Sequence, residues 1–154
     1  MLFAELLPKE AVFPHVEARD KKQALRHMAA HAGHITGVPE KDIYSEIMER
    51  EQHGTTCMGS GVCVPHGRFP KLSKPVAFFA HFNEPVEFDG ADGQPVDLMF
   101  MLLSPQDSNT EHIKAMAMLS RLLRNKLLCT QLRKAGDSQA MYELLYTASK
   151  EDQT

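Results

Sequence analysis

The chain has 154 residues, 17 Lys+Arg against 20 Asp+Glu, and a formal charge of −3 with its eight histidines neutral. At 43% hydrophobic and 24% charged residues it has the composition of one soluble globular domain, which excludes disorder and collagen-like repeats. The apolar runs Val76–Phe82 and Leu98–Leu103 fall far short of the ~18–20 residues that a membrane span needs, and Met1-Leu2-Phe3-Ala4-Glu5 lacks the basic start of a signal peptide. Cys57, Cys63 and Cys129 form no C-x-x-C pair, so neither a disulfide framework nor a thiolate zinc cage is expected, and a reducing cytoplasm fits.

In chain order, residues 11–16 read as a short strand that Pro14 assigns to a sheet edge. Asp20 caps a helix over Lys21–Ile35, where Leu25, Met28, Ala29, Ala32 and Ile35 recur at helical spacing. A second helix starts at Pro39 and ends near Arg50. Residues 54–61 read as a loop leading into a strand, Val62–Val64. Pro75–Phe82 and Val96–Leu103 are strands separated by turn chemistry over Asp89–Pro95. Ser108 and Glu111 make an S-x-x-E capping box before a helix, and two more helices cover Lys126–Arg133 and, capped by Ser138, Gln139–Thr147. The expected fold is α/β, a single-domain sandwich over residues 1–154 with a mixed sheet of about five strands flanked by helices. Its core spans about residues 3–147, and 148–154 form a flexible tail.

Several patterns lead nowhere. His27, His31 and His34 share one helix face, but at about 100° per residue that face lies opposite the apolar one. It is read as solvated, and no metal site is assigned. Gly59-Ser60-Gly61 lacks the third glycine of a dinucleotide fingerprint and precedes a strand instead of following one. No phosphate-binding P-loop motif is present. Residues 111–134 carry a local charge of +5, read as a solvated helix face, without the interleaved aromatics of single-strand nucleic-acid binders.

The informative stretch is Gly59-Ser60-Gly61-Val62-Cys63-Val64-Pro65-His66-Gly67-Arg68. Val64 is held extended before proline, and Pro65 fixes its own φ, which restricts how His66 is presented at the strand end. Gly67 is expected to allow close backbone approach by a ligand or partner. Arg68 and Arg50 supply guanidinium donors for an oxyanion.

Read together, Arg50-Glu51, Thr55-Thr56, Gly59-x-Gly61, Pro65-His66-Gly67-Arg68, Asp92-Gly93-Gln94-Pro95-Val96-Asp97 and Glu111-His112-Ile113-Lys114-Ala115 resemble the enzyme IIA domain of the fructose/mannitol class of the bacterial phosphoenolpyruvate-dependent phosphotransferase system. The likeness is greatest to the nitrogen-regulatory branch. The resemblance implies that His66 accepts a phosphoryl group, that His112 is a second active-site histidine and that Arg50 neutralises phosphate. Pro65, Gly67, Arg68 and Thr56 support the site. It further implies a small histidine phosphocarrier protein of the HPr/NPr kind as donor, regulated protein partners, no cofactor, no nucleic acid and no membrane insertion. A IIA component of a sugar-transport phosphorelay is the alternative, disfavoured by the lack of a fused IIB or membrane domain. An unphosphorylated interaction module is a second alternative. Met58, Val62 and Phe69 are expected to form a docking rim around His66.

Overall fold

A computed structural model describes residues 2–90 and 92–151. The elements are α1 (Phe3–Leu6), β1 (Val12–Val16), α2 (Lys21–Thr36), α3 (Glu40–Gln52), β2 (Cys57–Gly59), β3 (Val62–Cys63), β4 (His66–Phe69), β5 (Val76–Val86), β6 (Val96–Pro105), α4 (Asn109–Arg124), α5 (Lys126–Lys134) and α6 (Ser138–Glu151). One mixed sheet runs in the order β1-β5-β6-β3-β2, with β4 also paired to β6. β3 and β4 both lie parallel to β6 along the same edge, with Cys63 opposite Met99 and His66 opposite Leu102. They amount to one strand interrupted at Val64-Pro65, where proline has no N–H to give to the ladder. Six labelled strands are thus five positions across the sheet, in agreement with the mixed sheet of about five strands expected from the pattern of strand-like segments.

β6 is central, flanked by β5 on one side and by β3 and β4 on the other. Leu98 to Leu103 are all fully buried, which explains why this strand reads as a continuous apolar run without alternation. β1 is an edge strand, so Pro14 costs no ladder hydrogen bond. Asp20 caps α2 by accepting from Gln23 N–H at 2.8 Å.

The strand period of two decides which residues face which layer. Gly67 is paired with Leu103 and faces α3, since a Cβ on Gly67 would lie 2.8 Å from Glu46 Cγ and 3.3 Å from Ile47 Cδ1. His66, Arg68, Leu102 and Ser104 therefore point to the opposite face, where α4 packs on β6. The sheet lies between two helical layers.

Several expectations change. Residues 57–59 are a strand, because Ser60 and Gly61 adopt φ of 57° and 82° and close a two-residue hairpin between β2 and β3. Neither predicted serine cap makes its side-chain bond: Ser108 makes none, and Ala140 N–H donates to Asp137 Oδ1 at 2.7 Å, one residue ahead of Ser138. The last helix continues to Glu151 because Ala148 and Ser149 are buried, so the ordered core extends past Thr147. Within the expected tail, residues 152–154 lie outside the described residues, as does Ala91 of the predicted turn. His27, His31 and His34 are exposed, and the His31 ring stacks on Phe13 with centroids 4.1 Å apart. Arg133 departs from the expected solvated face. It makes a forked ion pair with Asp97, Nε to Oδ2 at 2.8 Å and Nη2 to Oδ1 at 2.9 Å.

Candidate functional site

The interrupted strand brings His66 to the start of β4, half-buried, at the point where the sheet meets the N-terminal end of α4. His66 Nδ1 lies 2.9 Å from the carbonyl oxygen of Val64. A carbonyl only accepts, so Nδ1 carries the hydrogen. In the neutral ring the lone pair is then on Nε2. Burial pushes the His66 pKa down and the Arg50 and Arg68 charges push it the same way, opposed by the Val64 carbonyl and by Glu51. The balance favours the neutral, nucleophilic imidazole.

His112 sits in the first turn of α4, its ring centroid 5.5 Å from that of His66 and tilted by 51°. Its Nδ1 is 2.7 Å from Ser104 Oγ, on the strand that carries the register partners of β4. Burial, then Arg68, then His66 lower its pKa to about 4. In both rings the shift favours the uncharged form at neutral pH. Ser104 is fully buried, and its hydroxyl can donate to or accept from Nδ1. When it donates, His112 Nε2 carries a hydrogen available to an oxyanion. Sequence reading misses Ser104, although it is a polar residue at the end of an otherwise apolar run.

Arg68 is held by three acceptors: Nε donates to Pro105 O at 2.9 Å, and Nη2 to Gln106 O at 3.2 Å and to Asn109 Oδ1 at 2.8 Å. It fastens β4 to the loop entering α4 and is a fixed positive charge beside both imidazoles. Arg50, in the last turn of α3, donates from Nη1 to Gly54 O at 3.0 Å, and its charge reaches His66. Together with the N-terminal end of α4, these cations make the ground around His66 favourable to an anion.

The remaining motif residues serve the frame. Thr56 donates its hydroxyl to the buried carboxylate of Glu51, whose other oxygen lies 2.9 Å from Lys21 Nζ. Pro65 is buried, and its carbonyl accepts from Leu102 N–H at 2.9 Å. Gly67 faces α3, so its missing side chain makes room for the protein's own helix and not for a visitor. Val62 and Phe69 are buried at 3% exposure and Met58 packs against the core, so the expected docking rim is largely interior. Gly59-x-Gly61 and Asp92 to Asp97 meet in space. Ser60 N–H donates to Asp92 Oδ2 at 3.0 Å, and Ser60 O accepts from Arg133 Nη2 at 3.0 Å. A Cβ on Gly61 would lie 3.1 Å from both Arg133 Nη2 and Asp97 Oδ1. These two motifs are a clamp on the hairpin that leads to His66. Among the described residues no group of three or more His, Cys, Asp or Glu is arranged to hold a metal ion, and no helix is long and apolar enough to cross a membrane.

The family profile described as "Phosphoenolpyruvate-dependent sugar phosphotransferase system, EIIA 2" matches residues 5–148. The chain belongs to this EIIA family. It is 42% identical over 145 residues to a nitrogen regulatory protein of Bradyrhizobium diazoefficiens, covering 94% of this chain and 95% of that one. The crystal structure of nitrogen regulatory protein IIA-Ntr from Neisseria meningitidis superposes with a TM-score of 0.87 at 27% identity, covering 92% of this chain and 97% of the other. The Escherichia coli mannitol enzyme IIA, solved in complex with phosphorylated enzyme IIB, shares the fold with a TM-score of 0.76 at 20% identity, over 90% and 95% of the two chains. The protein is thus a phosphotransferase-system EIIA similar to nitrogen regulatory proteins, and its single mixed-sheet domain has the IIA-Ntr fold.

Proposed function

We propose that this EIIA protein is a regulatory phosphoryl carrier in which His66 takes a phosphoryl group from a histidine phosphocarrier protein. Its phosphorylation state then decides which protein partners it binds. The observation that carries this reading is the Nδ1 bond from His66 to the Val64 carbonyl, which leaves Nε2 as the nucleophilic nitrogen of a neutral ring. In the transfer, the N–P bond of the donor phosphohistidine breaks, the donor nitrogen keeps the electron pair, and the Nε2–P bond of His66 forms. No proton has to leave His66, because its only N–H is on Nδ1. The site therefore needs no general base.

Phosphoryl transfer asks mainly for positioning and charge neutralisation. Arg68 and Arg50 supply positive charge near the incoming group, and His112 supplies a hydrogen bond from Nε2 when Ser104 holds its Nδ1. Regulation in preference to sugar transport is supported by the relative of 42% identity, which is itself a nitrogen regulatory protein.

Intact-mass measurement after incubation with phosphoenolpyruvate, enzyme I and a phosphocarrier tests this reading. One acid-labile phosphoryl group is expected, and it is absent from His66→Ala. An unchanged mass, under conditions that charge another EIIA, contradicts it. Efficient onward donation to a IIB domain coupled to sugar uptake contradicts the regulatory assignment.

A further inference from the structure

The hairpin ahead of His66 sets two thiols face to face. Cys57 in β2 and Cys63 in β3 are Cα partners in an antiparallel ladder, so both side chains leave the same face of the sheet. Val64 N–H donates to Thr56 O at 3.1 Å, outside the pair, which makes Cys57 and Cys63 a non-hydrogen-bonded pair. In such a pair the Cα atoms lie about 4.5 Å apart, within the range of roughly 4.4–6.8 Å that a disulfide spans. Both are free cysteines.

Their environments differ. Cys63 is fully buried and Cys57 half-buried on the edge strand β2. The Cys63 S–H hydrogen bond to the Cys57 sulfur is the largest effect on Cys57 and brings its pKa down to about 7, against the opposing effect of burial. Burial pushes the Cys63 thiol well above its ordinary value. An accessible thiolate backed by a buried thiol is the arrangement of an attacking and a resolving cysteine.

We propose that Cys57 and Cys63 are a redox-responsive dithiol that closes to an intrachain disulfide and links oxidation to the geometry around His66. The oxidant is a low-molecular-weight disulfide. The Cys57 thiolate attacks one of its sulfurs, the oxidant's S–S bond breaks, and the departing thiolate takes up the proton that Cys57 released. Cys63 then attacks the Cys57 sulfur of the mixed disulfide, and its proton goes to the second departing thiolate. Two protein thiols lose two electrons and one small disulfide becomes two thiols. The product pins both strands of the hairpin. Cys63 adjoins Val64, whose carbonyl holds His66, and Cys57 adjoins Thr56, whose hydroxyl holds Glu51.

Oxidised glutathione, followed by alkylation and trypsin, tests the proposal. Residues 51–68 form one tryptic peptide containing both cysteines. It is expected to become lighter by two hydrogens, to resist alkylation at both sulfurs and to revert with dithiothreitol. The effect is lost in Cys57→Ser and kept in Cys129→Ser. Cys63→Ala is expected to stop at the mixed disulfide on Cys57, and the His66 ring resonances are expected to move when the wild-type bond closes. An unchanged peptide, a persistent mixed disulfide in the wild type, or cross-linked dimers overturn the proposal. So does closure with the His66 resonances unmoved, or an unmodified Cys57 in Cys63→Ala. None of these readouts requires His66 to carry phosphate, so failure here is distinguishable from failure of the phosphoryl-carrier reading.

Discussion

His66 and His112 stand 5.5 Å apart between ring centroids, and each is anchored through Nδ1, one to a backbone carbonyl and the other to a buried serine. The arrangement leaves the two Nε2 atoms as the chemically available nitrogens. The partners also differ in kind. Val64 dictates a tautomer for His66, whereas Ser104 lets His112 adopt the one its task requires.

The first prediction concerns pH. The His112 pKa is lowered to about 4, so over the window from the ordinary histidine value of ~6.5 down to about 4 the unfolded chain binds more protons than the folded one. The His112 contribution to stability is present above that window and is lost as pH falls through it. Urea midpoints measured from pH 8 to 4 should fall less steeply in His112→Gln than in the wild type. A His112 resonance that titrates near 6.5 contradicts the prediction.

Ser104→Ala removes the partner of His112 Nδ1 and leaves a partly buried ring nitrogen without its bond, which costs about 1–3 kcal/mol in stability. If that bond also orients His112, phosphorylation of His66 should slow about tenfold or more, as a loss of ~1.4 kcal/mol in the transition state implies. Ser104→Thr, which keeps the hydroxyl, should restore the His112 ring shifts. Unchanged His112 shifts in Ser104→Ala contradict the assignment.

Gly67→Ala tests the corrected role of that glycine. The new Cβ would meet Glu46 Cγ at 2.8 Å and Phe69 Cε2 at 3.2 Å. Overpacking of this kind costs about 1–3 kcal/mol, which calorimetry should register as a Tm lower by roughly 2–10 °C. Glu46→Ala, by clearing the nearest atom, should recover part of the loss. A variant as stable as the wild type contradicts the contact with α3.

Arg133→Ala opens the hairpin clamp. It breaks the fork to Asp97 and the bond to the carbonyl oxygen of Ser60, the residue that adopts a left-handed φ of 57°. The expected cost is about 1–2 kcal/mol, with faster amide exchange at residues 57–63. Arg133→Lys should not restore it, since an ammonium cannot reproduce the fork. Full protection of the hairpin in Arg133→Ala contradicts the clamp.

Much of the fold is legible in the sequence, for reasons that can be named. β5 and β6 announce themselves as apolar runs because β6 is buried on both faces, and α2 does so because its cap and its buried stripe agree. The β2–β3 hairpin is hidden because positive φ at Gly59, Ser60 and Gly61 interrupts any alternation. Whether Gly67, Val62 and Phe69 face a partner or the interior depends on where α3 and the sheet come to rest, which no local pattern encodes. The same holds for Ser104 and Asn109, which matter only through the residues that fold against them, His112 and Arg68. His66 stands out as a candidate because Pro65 and Gly67 bracket it, and the motifs around it are distributed along the chain in a recognisable order.

The measurement that bears most directly on the central claim is phosphorus–nitrogen coupling in the phosphorylated, nitrogen-15-labelled protein. The hydrogen bond from His66 Nδ1 to Val64 O predicts one phosphorus coupled to His66 Nε2, with Nδ1 still protonated. Coupling to His66 Nδ1, coupling to His112, or no phosphorylated histidine at all would contradict it.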